Sequence, residues 1–222
     1  FNVVVFQKRC LECMEQIYDR GHIPILVGGT GFYIQAVLRG IDFTENEENT
    51  EYREKMEQLA KEKGPEVLHE MLRKNDPVSA ENIHANNIKR TIRALEYYEL
   101  TGDPISAHNK REKERTSPYN FSYFVLTDDR AKLYERIDRR VDQMLKDGLV
   151  EEVKGLQQEG CHRGMVSMQG LGYKEILAYM EGEYDLERAV YLIKRDTRHF
   201  AKRQLTWFRR EKCVTWVDRQ DF

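Results

Sequence analysis

Cysteine is scarce, four in 222 residues, too few to staple a chain of this length, and this points to a compartment where thiols stay reduced. Cys10 and Cys13 do form a C-x-x-C, but they fall inside a helical pattern. Cys161 and Cys213 stand singly and far apart, so no second ligand pair closes a zinc site, and Cys10 and Cys13 are read as packed thiols on a helix face. Long apolar runs are missing as well; the hydrophobic stretches are strand-sized, too short to span a bilayer. Nor is positive charge in excess. With 36 Lys and Arg against 38 Asp and Glu the net charge is −2, so any contact with a polyanion must be local. Internal repeats, low-complexity segments and a signal-peptide arrangement are not visible. The chain opens on Phe1 and enters a helix almost at once, as expected of a piece whose beginning is absent.

Against that balance, one stretch concentrates charge. From Lys194 to Arg209 the sequence reads KRDTRHFAKRQLTWFR, and Lys194, Arg195, Arg198, His199, Lys202, Arg203 and Arg209 recur at helical steps. Phe200, Leu205, Trp207 and Phe208 lie among them. Cations interleaved with flat rings suit a nucleic acid, whose phosphates Lys and Arg hold and whose bases stack on aromatics. A solvated helix with core aromatics fits the same pattern.

The remaining chain reads as an α/β core with an insertion. Phe6, Cys10, Cys13, Met14 and Ile17 give a helix closed by Gly21, followed by a short buried strand over Ile23–Val27. Gly28-Gly29-Thr30-Gly31 then opens a second helix running to about Leu38. Helix, strand, glycine turn, helix places a ligand site at the carboxyl end of the strand. From Asp42 to about Arg115 acidic residues crowd Glu45 to Glu54 and only helical patterns follow. This is expected to be a helical insertion, with Lys110 to Arg115 and Ser117-Pro118 as the return hinge. Phe121 to Leu126 is a second strand, and Thr127 is expected to cap the next helix. Gly148 breaks that helix, Asp185 caps the long basic one, and Val214 to Val217 forms a final strand. The predicted organisation is a core of residues 1–42 and 116–222, with residues 43–115 as the insertion.

Several places could carry chemistry. The Gly28–Gly31 turn offers unobstructed N–H groups and the Thr30 hydroxyl to an anion or a polar substrate edge, or is simply a tight turn with Thr30 as cap. No G-x-x-x-x-G-K-[ST] is present, so this turn is not a phosphate-binding P-loop. Arg136 and Arg140, one turn apart, could fork a diphosphate, or could pair with Glu135, Asp138 and Asp142 on their own helix. Lys89, Arg90 and Arg93 form a further basic group whose default is a solvated face. Gln169-Gly170-Leu171-Gly172-Tyr173-Lys174 combines glycines that admit a close backbone with a ring and a charge; a helix cap with one buried tyrosine competes.

Taken together, the strings ILVGGTGFY (25–33), NIKRTIRAL (87–95), RIDRRVDQM (136–144), QGLGYKE (169–175) and AKRQLTWFR (201–209) resemble the tRNA dimethylallyltransferases, also called tRNA isopentenyltransferases, in order and spacing nearly end to end. The resemblance implies a P-loop NTPase-like parallel-sheet core with an all-helical insertion that grips the anticodon stem-loop. It implies transfer of a dimethylallyl group from dimethylallyl diphosphate to the exocyclic amine of the adenine beside the anticodon, on its 3′ side. The target base would be flipped out of its stack, with Mg²⁺ and cations neutralising the departing diphosphate.

Carried onto this sequence, Thr30 would contact the adenine near the reacting centre, and Arg140 would bind diphosphate with support from Arg136. Contacts to tRNA would come from three segments: Lys89, Arg90, Thr91, Ile92 and Arg93; Gln169, Gly170, Leu171, Gly172, Tyr173 and Lys174; and Lys202, Arg203, Gln204, Leu205, Thr206, Trp207, Phe208 and Arg209. Glu54 falls loosely near a position used beside the RNA. The departure is that family members begin with a nucleotide-binding P-loop, then a segment bearing an aspartate general base, and neither occurs here. The Mg²⁺ would be held largely through that region and the diphosphate, and these residues alone are not expected to catalyse. Two alternatives stay open: an adenylate isopentenyltransferase, against which the basic helix and the insertion argue, and a non-catalytic RNA-binding remnant. The expected setting is a cytoplasmic monomer, with no membrane partner.

Overall fold

The computed structural model describes residues 1–43 and 50–221; the acidic crowd expected from Glu45 lies outside the described residues as far as Glu48. The protein has two compact units, residues 1–27 with 32–120, and residues 28–31 with 121–222.

In the first unit, α1 (Val3–Asp19) starts on Asn2, whose side chain accepts the Val5 N–H at 3.0 Å. It ends as the sequence predicts. Gly21, at φ +73°, donates to the Tyr18 carbonyl at 2.8 Å, and the next N–H, of His22, donates to Ile17 at 3.1 Å, the paired bonds of a glycine C-terminus. The strand expected over Ile23–Val27 is not formed. The segment is irregular, and Ile23, Ile25 and Val27 are 85, 85 and 88 % exposed. A strand needs a ladder neighbour, and none of the described residues runs alongside this one. α2 (Gly31–Leu38) follows, with the Phe6 ring 4.9 Å from Tyr33 and Gln7 Nε2 donating to Ala36 and Ile41 carbonyls.

The helices α3 (Thr50–Lys63), α4 (Pro65–Asn75), α5 (Pro77–Asn82), α6 (Ile88–Thr101) and α7 (Ile105–Glu114) then share one core around Met56, Leu68, Leu72, Ile92 and Leu95. Proline starts α4 and α5, where its missing N–H goes unused. The predicted hinge at Lys110 is helical as far as Glu114, because α7 runs through it; the return is tied beyond that point by Arg115 Nη1 on the Gly40 carbonyl at 2.6 Å.

A polar knot links α5 to α7. The buried Asp76 carboxylate accepts the Ser79 N–H and Oγ at 2.9 and 2.7 Å, and the Ser106 N–H and Oγ at 2.9 and 2.6 Å. Burial pushes its pKa up, but these bonds outweigh that and hold it below the ordinary aspartate value.

The second unit contains a two-stranded parallel sheet, β1 (Tyr123–Thr127) beside β2 (Val214–Asp218), with Tyr123 opposite Val214 and Thr127 opposite Asp218. Between them run α8 (Arg130–Lys146), α9 (Leu149–Gln158), α10 (Tyr173–Met180) and α11 (Leu186–Phe208). Their apolar stripes meet around Val141, Val153, Ile176, Leu177 and Ile193. Asp185 caps α11 as expected, its carboxylate accepting the Arg188 N–H at 2.8 Å. Thr127 does not cap α8; it ends β1, and Asp129 accepts the Ala131 and Lys132 N–H groups instead, at 2.9 and 3.1 Å. The architecture is mixed, mostly helical with a small parallel sheet, consistent with a P-loop NTPase-like α/β core.

Candidate nucleic-acid interface

α11 is 23 residues long, and its two halves differ in what surrounds their charges. From Lys194 to Arg198 the cations are paired with carboxylates of the protein itself. Arg198 Nη1 forks onto Asp138 of α8 at 2.6 and 2.8 Å, Lys194 Nζ lies 2.5 Å from Asp142, and Arg195 Nε donates to Asp196 at 2.7 Å. The open cationic face expected from Lys194 onward is thereby corrected: it begins at His199, because an acidic face of α8 neutralises the preceding turn. In the second half and just beyond its end, Lys202, Arg203, Arg209 and Arg210 are exposed and have no ion pair among the described residues.

A groove of about 390 Å³ lies along this half, lined by His199, Lys202, Arg203, Thr206, Trp207 and Arg210. Arg203 stacks over Phe200, its guanidinium carbon 5.7 Å from the ring centre. Arg210 was missed by sequence reasoning, which stopped at Arg209; the signal was the continuation of the charge run through Arg210-Glu211-Lys212. Phe208 is buried under β1, edge-on to Tyr123 at 6.3 Å, so its ring is core and is not available to RNA. Leu205 is half-buried.

The glycine turn is seated on the same helix. Gln204 Nε2 donates to the Gly29 carbonyl at 2.7 Å. A Cβ on Gly29 would stand 2.3 Å from that nitrogen, and one on Gly31 would stand 2.1 Å from Trp207 Cδ1, whereas nothing lies within 4 Å of a Cβ on Gly28. Both glycines therefore sit at close approaches, Gly31 against the Trp207 ring and Gly29 against the movable end of the Gln204 side chain. Gln204 and Trp207 face inward to brace the turn, and Thr30 is left exposed at its tip.

The Gln169–Lys174 segment packs beside α10. Gln169 and Gly170 are exposed and Leu171 is half-buried. Gly172 is buried, at φ +99°, and its N–H donates to Glu175 Oε2 at 2.8 Å. Tyr173 hydrogen-bonds Glu152, which together with partial burial raises its pKa. Lys174 Nζ lies 3.2 Å from Glu175 and 3.8 Å from Asp196 of α11.

Of the two arginines on α8, Arg136 is held by the buried Asp128 carboxylate at 2.8 Å, which occupies the guanidinium expected to assist a diphosphate. Arg140 is exposed and has no ion pair among the described residues. The intrahelical network weighed for this pair does not form. Asp138 and Asp142 turn to α11, and Glu135 approaches Arg139 at 3.9 Å.

In the first unit, Lys89, Arg90 and Arg93 are exposed on α6, and Glu54 is exposed on α3. Thr91 and Ile92 are corrected: both are buried in the helical core, and Thr91 Oγ1 donates to the Asn87 carbonyl at 3.2 Å, so neither side chain faces a ligand. Among the described residues no three His, Cys, Asp or Glu side chains converge on one point, and no helix is long and apolar enough to cross a membrane.

A family model described as IPP transferase matches residues 1–211. The chain belongs to the IPP transferase family. Among its relatives is a tRNA dimethylallyltransferase of Lachnoclostridium phytofermentans, 60 % identical over all 222 residues, which make up 71 % of that protein. Another, from Carboxydothermus hydrogenoformans, is 52 % identical over 98 % of this chain and 70 % of its own length. The full-length tRNA isopentenylpyrophosphate transferase of Bacillus halodurans superposes with a TM-score of 0.66 at 42 % identity, over 98 % of this chain and 67 % of that one. A eukaryotic dimethylallyltransferase acting on tRNA gives a TM-score of 0.72 at 27 % identity, over 98 % of this chain and 56 % of its own. Membership in the IPP transferase family covers the glycine turn, α8 and α11 alike, since the matched residues include all of them.

Proposed function

We propose that this chain carries the RNA-reading and part of the prenyl-transfer machinery of a tRNA dimethylallyltransferase. The reaction moves the dimethylallyl group of dimethylallyl diphosphate onto the exocyclic amine of the adenine 3′ to the anticodon. A carbon–nitrogen bond forms, the carbon–oxygen bond to diphosphate breaks with the electron pair leaving on oxygen, and the amine gives up a proton. The observation that carries this reading is the seating of Gly28–Gly31 on Gln204 and Trp207. It fixes the exposed Thr30 hydroxyl to the helix that carries Lys202 and Arg203, which with Arg210 beyond its end line the cationic groove.

In this proposal the groove holds the phosphates of the anticodon loop, and Thr30 meets the extruded adenine. Arg140 receives the diphosphate, since a guanidinium keeps its charge as the leaving group develops its own. Lys89, Arg90, Arg93 and Glu54, exposed on a helical insertion over residues 43–115, are further contacts to the stem-loop in this reading. Among the described residues no three His, Cys, Asp or Glu side chains converge, and the expected Mg²⁺ would be held largely through the diphosphate. A cytoplasmic monomer is the proposed setting.

Filter binding at several salt concentrations tests the reading, using one stem-loop with adenine beside the anticodon and one with uridine. Salt-sensitive binding that prefers adenine is expected. Arg203→Glu should weaken it about tenfold or more while leaving the circular dichroism unchanged. Equal binding of Arg203→Glu and the unaltered chain at moderate salt would sink the assignment of this surface.

A further inference from the structure

We propose that Asp196 is a positioning residue for RNA binding, which tethers Lys174 and the Gln169–Lys174 segment to α11 so that two separate stretches of sequence present one surface. The inference rests on the RNA-binding reading of that surface.

An acid at this place needs a reason. Asp196 stands inside the basic run, and Asp196, His199 and Arg203 share a helix face. A carboxylate there repels a polyanion and lowers affinity unless it does something that offsets the repulsion. Its contacts say what that is. Asp196 Oδ1 accepts from Arg195 Nε at 2.7 Å and lies 3.8 Å from His199 Nδ1, while Oδ2 lies 3.8 Å from Lys174 Nζ. Lys174 is the only one of these cations that α11 does not itself carry.

The other end of the tether is equally defined. Lys174 Nζ is 3.2 Å from Glu175 Oε1, an oxygen that is buried and has no hydrogen bond among the described residues. The second oxygen of Glu175 accepts the Gly172 N–H at 2.8 Å, and the Glu175 carbonyl accepts the Tyr184 hydroxyl at 3.2 Å. Contact therefore runs unbroken from Gly172 through Glu175 and Lys174 to Asp196. The ammonium sits between two carboxylates, one fixed in the core of α10 and one on α11. Releasing Asp196 leaves the lysine paired with Glu175 alone and removes, among the described residues, the charged link from this segment to the groove-bearing helix.

The sign of the effect separates positioning from plain charge. If Asp196 acted only as a surface charge, Asp196→Asn would strengthen binding of a stem-loop RNA and steepen its salt dependence. The tether requires the opposite: affinity roughly two- to fivefold weaker despite the added positive charge, and no further loss when Asp196→Asn is made in a Lys174→Met background. Tighter binding, or additive losses in the double variant, would overturn the proposal. A second readout needs no RNA. Hydrogen exchange at the amides of Gly170 to Lys174 should quicken several-fold in Asp196→Asn, with the middle of α11 unchanged. Unchanged exchange at these amides refutes the tether even if RNA binding is altered. Quickened exchange in a chain that binds no RNA would instead uphold the tether and refute the proposed function.

Discussion

At the scale of single residues, the glycine turn gives a graded experiment. Gly28, Gly29 and Gly31 look alike in the sequence, yet each meets something different: open space, the far end of the Gln204 side chain, and the indole of Trp207. Gly28→Ala should therefore be neutral within about 0.5 kcal/mol. Gly29→Ala should cost about 1 kcal/mol, because the flexible Gln204 amide can move aside but gives up its bond to the Gly29 carbonyl. Gly31→Ala should cost most, about 2 to 3 kcal/mol, since a half-buried ring cannot retreat without repacking. Denaturant unfolding followed by tryptophan emission checks the order, and a red-shifted emission in Gly31→Ala alone would report displacement of Trp207. Equal effects at Gly28 and Gly31 would mean that the turn is not seated as described. The string GGTG read as a tight turn with open N–H groups, but what its glycines approach lies more than 170 residues away, and only the fold could name it.

At the scale of elements, α8 and α11 decide which charges are free. Their pairing through Asp138–Arg198 and Asp142–Lys194 was invisible in one dimension because the partners are 60 and 52 positions apart (198 − 138 and 194 − 142). Helical periodicity correctly placed both helices and the Asp185 cap, since these depend on neighbours within a turn or two. It could not tell a solvated cation from a paired one, and so it set the basic face too early. The same limit explains Ile23–Val27, where an apolar run marks strand propensity but says nothing of a ladder partner. Arg198→Ala and Arg203→Ala are therefore expected to behave differently although both remove one Arg from one helix. Arg198→Ala should lower stability by about 1 kcal/mol, a figure already reduced for the partial exposure of the pair, and leave the salt slope of RNA binding unchanged. Arg203→Ala should leave stability unchanged and reduce the slope of log affinity against log salt by nearly one. Salt titrations of binding paired with thermal melts would separate the two, and a reduced slope in both variants would place Arg198 on the RNA.

At the scale of the whole molecule, the two units carry separate cores and separate sensitivities to acid. Both tryptophans, Trp207 and Trp216, belong to the second unit, while the Asp76 knot lies in the first. Tryptophan emission thus reports one unit and far-ultraviolet circular dichroism reports both. Asp76 has a folded pKa below its unfolded value, so the stability it supplies is fully present above about pH 4, the usual aspartate range, and is lost as pH falls through the folded value. Acid titration should accordingly cost helical signal from the first unit before emission changes. Two variants isolate the cause. Asp76→Ala leaves four donors without their acceptor, and should destabilise the first unit by about 2 to 4 kcal/mol at neutral pH. Asp76→Asn should recover little of this. Each carboxylate oxygen accepts one backbone N–H, Ser79 on one side and Ser106 on the other, so either orientation of the amide sets its NH₂ against a backbone donor. In both variants the acid-sensitive phase of the dichroism should vanish while tryptophan emission keeps its midpoint. A shift of both signals together would mean that the units unfold as one, with the knot at Asp76 stabilising the whole chain.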